Sequence, residues 1–190
     1  MIPAWTMASI LPPVRPGHAG HSADRSPYVV PLWEVVEQFA ATPERMAILH
    51  GLLDYRAALH EAGLVSGFQW LDGSFMENVE ARESRPPKDV DVVTYFHLPD
   101  GETQLSFFAK VGNLLSNAHV KTTYSVDAYP FVLGEPSAAR HVKQISYWYS
   151  MWSHRRDGMW KGFIQVDLDP QEDLAAAQIL SAINTGGTTP

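Results

Sequence analysis

Apolar residues recur at two periods along this chain, and the switches between them divide it into elements. Over residues 32–40, Val35, Val36 and Phe39 fall on one face of a short amphipathic helix. Thr42 followed by Pro43 supplies a cap and a first-turn proline for a second helix, which Gly63 stops after Ala62. The run Gly67-Phe68-Gln69-Trp70-Leu71 predicts a strand, Gly73-Ser74 a tight turn, and the residues to Val79 a short helix. Residues 80–88 are polar, contain Pro86 and Pro87, and predict a loop ahead of a β-branched and aromatic strand over 90–96. The pattern then predicts a helix over 105–118, a strand over 124–132 and an aromatic-rich helix over 138–152. A turn at Arg156-Asp157-Gly158, a strand over 162–168 and a helix over 174–183 complete it. Helices interleaved with about four strands imply an α+β fold of α/β layers, a mixed sheet with helices packed on it. Six prolines (Pro3, Pro12, Pro13, Pro16, Pro27, Pro31) make residues 1–31 an extended arm; 32–183 form a single domain, and 184–190 read as a frayed tail.

Charge narrows the function. With 14 Lys+Arg against 21 Asp+Glu the formal net charge is −7, which argues against a protein that grips nucleic acid with its whole surface. Any phosphate contact must come from a local basic cluster, or from carboxylates acting through a divalent metal. The chain has no cysteine, which excludes disulfides, a thiol nucleophile and cysteine zinc sites. No apolar run of membrane-spanning length occurs, and the proline-broken start lacks the early positive charge of a signal peptide. The expectation is a cytoplasmic protein with no membrane partner.

The chemistry centres on Lys88-Asp89-Val90-Asp91-Val92-Val93. Alternation along a strand puts Asp89 and Asp91 on one face and Val90 and Val92 on the other. Two adjacent carboxylates raise each other's pKa, and a divalent cation removes that cost. Asp127, in the later strand, is a third candidate; three aspartates on neighbouring strands could hold two metals, or one metal and a base. Upstream, Gly73 permits close backbone approach to a ligand, while Ser74 adds a hydroxyl donor at a helix start.

A strand, Gly-Ser, a helix, a loop, Asp-hydrophobic-Asp on a strand and a later strand aspartate together resemble the nucleotidyltransferase superfamily related to DNA polymerase beta. Residues 43–63, 67–75, 86–94 and Lys161-Gly162 look like a family of small bacterial nucleotidyltransferase-like proteins, over about residues 12–168. The resemblance implies an NTP lying over Gly73 and Ser74; Lys161, followed by Gly162, is the basic-patch residue singled out for the phosphates. It implies Mg²⁺ (or Mn²⁺) on Asp89 and Asp91, and Asp127 either holding a second metal or activating an acceptor hydroxyl. Fourteen residues separate Ser74 from Asp89, more than in minimal members, and Arg82, Arg85 and Lys88 among them would form a basic lip. The acceptor could be RNA, a protein or a small molecule, and a protein partner or a second copy of the chain would complete so short an enzyme. Family analogy points to a toxin–antitoxin or phage-defence setting.

The rival expectation is a catalytically inactive nucleotidyltransferase-fold module serving as sensor, antitoxin or assembly partner. Arg155, Arg156 and Lys161 form the densest basic patch, able to receive phosphates or simply to line a solvated turn. Tyr147, Trp148, Tyr149, Trp152 and Trp160 could stack a base but read first as core. Arg45 and His50 have the Arg-x4-His spacing of HEPN ribonucleases without other support, and His18 and His21 lack a third metal ligand.

Overall fold

The computed structural model describes residues 1–134 and 138–186. The arm enters first and ends in a two-residue strand, β1 (Tyr28–Val29). Helix α1 (Leu32–Phe39) buries Leu32, Val35, Val36 and Phe39, the face that the periodicity required. In α2 (Pro43–Glu61) the Thr42 hydroxyl accepts from the Arg45 N–H, and Pro43 fills the first turn where an N–H is not needed. Gly63, at φ 89°, then takes the left-handed position that ends the helix. Strand β2 (Gly67–Asp72) follows, then a 3₁₀ turn (Ser74–Met76).

The loop expected over 80–88 contains a short helix, α3 (Val79–Glu83), capped by the Asn78 side chain. After β3 (Val90–Phe96), the single helix expected over 105–118 breaks at Gly112. It becomes α4 (Gln104–Val111), a 3₁₀ turn (Gly112–Leu115) and α5 (Asn117–Tyr124). Ser116 is extended, at ψ 109°, which prevents the two α segments from joining. Ser125 is left-handed at φ 56°, so α5 closes before β4 (Val126–Val132), two residues later than the strand's expected start. Helix α6 (Ala138–Trp152), strand β5 (Ile164–Asp167) and helix α7 (Pro170–Gly186) complete the chain. Helix α7 thus starts earlier than expected and covers part of the segment read as a tail; residues 187–190 lie outside those described.

Among the described residues the strands form one mixed sheet, ordered β1-β5-β2-β3-β4. β2 runs antiparallel to both β5 and β3, whereas β3 and β4 are parallel. β4 is an edge strand, the place where Pro130 can stand without costing a ladder hydrogen bond. The sheet is covered unequally. On one face Leu71, Val90, Val92, Val126 and Ile164 join the main core with α1, α2, α5 and α7. On the other, Trp70, Val93, Tyr95, Phe131 and Phe163 pack under α6 through Trp148, Tyr149 and Trp152. Most of the aromatic cluster is therefore core, while Tyr147 and Trp160 stand exposed.

The arm lies across the domain. Ile2, Ile10 and Leu11 are buried; the Trp5 indole donates to the Met76 carbonyl (2.8 Å), and the Gly162 N–H donates to the Leu11 carbonyl (2.8 Å). Arg56, fully buried, joins α2 to the sheet and to α7. It donates to Asp173 (2.7 Å), to the Gln69 side chain (2.7 Å) and to the Asp167 carbonyl (2.9 Å). Replacing it strands a carboxylate, the buried Gln69 side chain and a backbone carbonyl, so Arg56→Met should destabilise the fold by about 3 kcal/mol or more in urea unfolding. A loss below about 1 kcal/mol would mean that Arg56 is not the tie it looks to be.

Candidate active site

Strand register assembles the acidic site. β2 pairs with β3 so that Asp72 stands opposite Asp91, and β3 pairs with β4 so that Asp91 stands opposite Asp127. Val90 and Val92 point into the main core, which leaves Asp91 on the α6 face. Asp72 and Asp127 alternate onto the same face as their cross-strand partner. Asp89, two residues before Asp91, extends the row beyond the strand end. The three expected aspartates are thus neighbours. The sequence reading missed the fourth, Asp72, whose place depends on the β2–β3 register.

Gly73 closes the row from above. Its φ of 83° is one that residues with a side chain rarely adopt, and a Cβ there would come within 2.5 Å of Asp91 Oδ2. The Gly-Ser turn therefore lies directly against the carboxylates. The helix expected after it is only the 3₁₀ turn at 74–76, so backbone N–H groups matter here more than a helix dipole. Arg45 fixes that turn. Its buried guanidinium donates to the carbonyls of Phe75 (2.7 Å) and Glu77 (2.7 Å) and forks onto the Glu80 carboxylate (2.6 and 2.9 Å). Arg45 is thus a scaffold residue and His50 lies on the exposed side of α2, which gives the Arg-x4-His spacing a structural explanation.

Two lysines divide the acidic row between them. Lys161 Nζ lies 2.7 Å from Asp72 and 3.4 Å from Glu77. Its side chain is only 5% exposed, so this ammonium acts on the site through Asp72 and Glu77. Burial disfavours its charge, but the two carboxylates outweigh burial and hold its pKa above the ordinary value. Lys121, from α5, bridges Asp89 (2.8 Å) and Asp127 (2.5 Å). Asn117, one turn earlier on α5, also donates to the Asp127 carboxylate and to the Ala128 carbonyl. Burial works to raise the Asp127 pKa, yet hydrogen bonds from Lys121, Asn117 and Tyr129 overcome it and keep the group below its usual range. Neither Lys121 nor Asn117 carries a motif; only their i, i+4 spacing on a helix beside β4 brings them to the site.

Asp91 is the exception in the row. Among the described residues no cation lies within ion-pair distance of it. Burial first, then the charges of Asp72, Asp127 and Asp89, push its pKa up to about 7. Asp72 is also raised, to about 6, because its burial outweighs Lys161. Hard carboxylate oxygens with one member lacking a counter-charge form a donor set suited to Mg²⁺ or Mn²⁺. Among the described residues, however, no three such groups are drawn together closely enough to hold an ion as they stand, and Lys121 sits between two of them.

Two residues of the basic lip are spent internally, while Lys88 is exposed. Arg82 pairs with Glu77 and Glu83, and Arg85 with Glu83. Arg155 pairs with Asp157 across its turn, while Arg156 is exposed. His18 faces Asp24 at 3.9 Å. A cavity of about 80 Å³ between α4 and α6, lined by Phe108, Phe131 and His141, shares no residue with the acidic row.

The raised pKa of Asp91 has a consequence for stability. The unfolded chain releases this proton near the ordinary value of 3.8 and the folded chain near 7. The folded state therefore binds more protons between those values, and the stability of the metal-free protein falls as pH rises through that window. Asp91→Asn removes the penalty and should stabilise the metal-free protein by about 2–4 kcal/mol at pH 8, with little effect at pH 4. Equal effects at the two pH values in urea unfolding would contradict the assignment.

Comparison with known proteins adds membership without an activity. No curated protein and no solved structure matches the chain. The family described as a family of unknown function (DUF6932) matches residues 3–167, a span that takes in the arm, the Gly-Ser turn, all four aspartates and both lysines. The chain belongs to that family.

Proposed function

We propose that the protein is a single-domain, Mg²⁺- or Mn²⁺-dependent nucleotidyltransferase with a fold of the DNA polymerase beta type. The observation that carries this reading is the contact of Gly73 with Asp91: the turn suited to phosphate and the carboxylates suited to metal are one site. The surrounding topology agrees with it. A strand leading into Gly73-Ser74 runs antiparallel to the strand that carries Asp91, and a parallel neighbour carries Asp127.

In this reading the backbone at Gly73 and the Ser74 hydroxyl receive the triphosphate of an NTP, while Asp89, Asp91 and Asp127 are the metal ligands. When bound, the divalent ion supplies charge to the phosphates and acidifies the acceptor hydroxyl. Asp127 takes the hydroxyl proton, the acceptor oxygen bonds to the α-phosphorus, and the bond to pyrophosphate breaks. Asp127 is a weak base while Lys121 and Asn117 hold it. Lys161 positions the turn through Asp72 and Glu77. A partner or second copy would finish the binding surface for the acceptor, whether RNA, protein or small molecule.

The ion pairs of Lys121 and Lys161 also favour a second reading. A row neutralised by its own lysines would suit a catalytically inactive module used as sensor, antitoxin or assembly partner. Thermal unfolding with each NTP separates the two. A nucleotidyltransferase should show a Mg²⁺-dependent rise in Tm for at least one NTP, lost in Asp89→Asn/Asp91→Asn, because a ligand at 100 times its Kd adds about 2.7 kcal/mol. No rise with any NTP and Mg²⁺ would support the inactive module.

A further inference from the structure

We infer that Lys121 is a built-in counter-ion which a divalent metal must displace, so that metal alone binds this site weakly. The inference rests on reading the carboxylate row as a metal centre. One ammonium contacts Oδ2 of both Asp89 and Asp127. A metal ligated by those oxygens at about 2.1 Å would need the same lone pairs, and its charge would repel the ammonium at such range. The two cations therefore exclude each other.

The two lysines differ in their freedom to leave. Lys161, 5% exposed and held by two buried carboxylates, is fixed in place. The Lys121 side chain is 45% exposed, on a flexible four-carbon stem. Helix α5 does not depend on it for docking. Val120 is fully buried, and the Asn117 side chain donates to the Ala128 carbonyl at 3.1 Å. Lys121 can swing outward while the helix stays seated.

Exchange of ammonium for metal gives the site two charge states. Without metal, Lys121 relieves the repulsion between Asp89 and Asp127. With metal, Lys121 is released at the rim. Opposing the metal at its own ligands lowers the affinity for free metal, and the phosphates of a nucleotide supply the additional oxygen ligands that overcome the opposition. Metal and triphosphate thus enter together.

Isothermal titration with Mn²⁺ alone tests this, using wild type, Lys121→Met, Lys121→Gln, Lys121→Arg and Asp91→Asn. Removing the ammonium should tighten Mn²⁺ binding at least tenfold, about 1.4 kcal/mol, in both uncharged variants. Lys121→Arg, which keeps the charge, should stay near wild type, and Asp91→Asn should weaken binding. Mn²⁺ should also raise the Tm of Lys121→Met more than that of wild type. Binding in Lys121→Met and Lys121→Gln no tighter than in a wild type that binds Mn²⁺ would overturn the counter-ion and leave the metal centre standing. Absence of binding in every variant, or binding indifferent to Asp91→Asn, would overturn the metal centre and the counter-ion with it.

Discussion

Repulsion among four carboxylates is the constraint around which this end of the sheet is organised. Asp72, Asp91 and Asp127 are forced into one row by strand register, and Asp89 lengthens it. Such a row costs folding free energy unless charge is supplied. The chain supplies it from two sides, with Lys161 at Asp72 and Lys121 between Asp89 and Asp127. Asp91, in the middle, is left with its pKa pushed to about 7. A fold that needed only stability would be served by an amide or an apolar residue at that position. An acid held there supports the proposed ion-binding or proton-transferring role.

The scaffold around the row is stiffened by buried guanidinium groups. Arg45 holds the carbonyls of the turn after Gly73, and Arg56 fastens α2 to β2, β5 and α7. Each donor meets a defined acceptor, so a charge in the interior gives geometry at a tolerable desolvation cost. The arm adds a third fixing. Trp5 bonds the Met76 carbonyl, and the Asn78 N–H bonds the Ser9 carbonyl (2.9 Å), so the far side of the Gly-Ser turn is braced by the beginning of the chain. The family match begins at Pro3 and ends at Asp167, and so includes this brace.

What could be read from the sequence was local. The Thr42-Pro43 start and Gly63 stop of α2, the inward face of α1 and the alternation of Asp89 and Asp91 against Val90 and Val92 follow from one stretch of chain each. The two-residue β1 pairs with β5 as its parallel partner; Tyr28 and Val29 are good strand formers, but a run so short between Pro27 and Pro31 does not read as a strand. The break at Gly112 and the helix at 79–83 depend on caps and packing that override hydropathy. At the site, Asp89, Asp91 and Asp127 could be found by pattern, whereas Asp72 required the β2–β3 register and Lys121 required α5 to lie beside β4. The inward turn of Lys161 was hidden for the same reason, since its buried partners are 89 and 84 residues earlier in the chain.

The central claim is that the aspartate row is a metal and nucleotide centre. The most direct measurement is anomalous scattering from crystals grown with Mn²⁺ and a non-hydrolysable NTP analogue. The account predicts an anomalous peak about 2.1 Å from carboxylate oxygens of Asp91 and at least one of Asp89 and Asp127. It also predicts triphosphate against Gly73-Ser74 and Lys121 withdrawn from both acids. A row without a peak, with Lys121 still bridging Asp89 and Asp127, would contradict it.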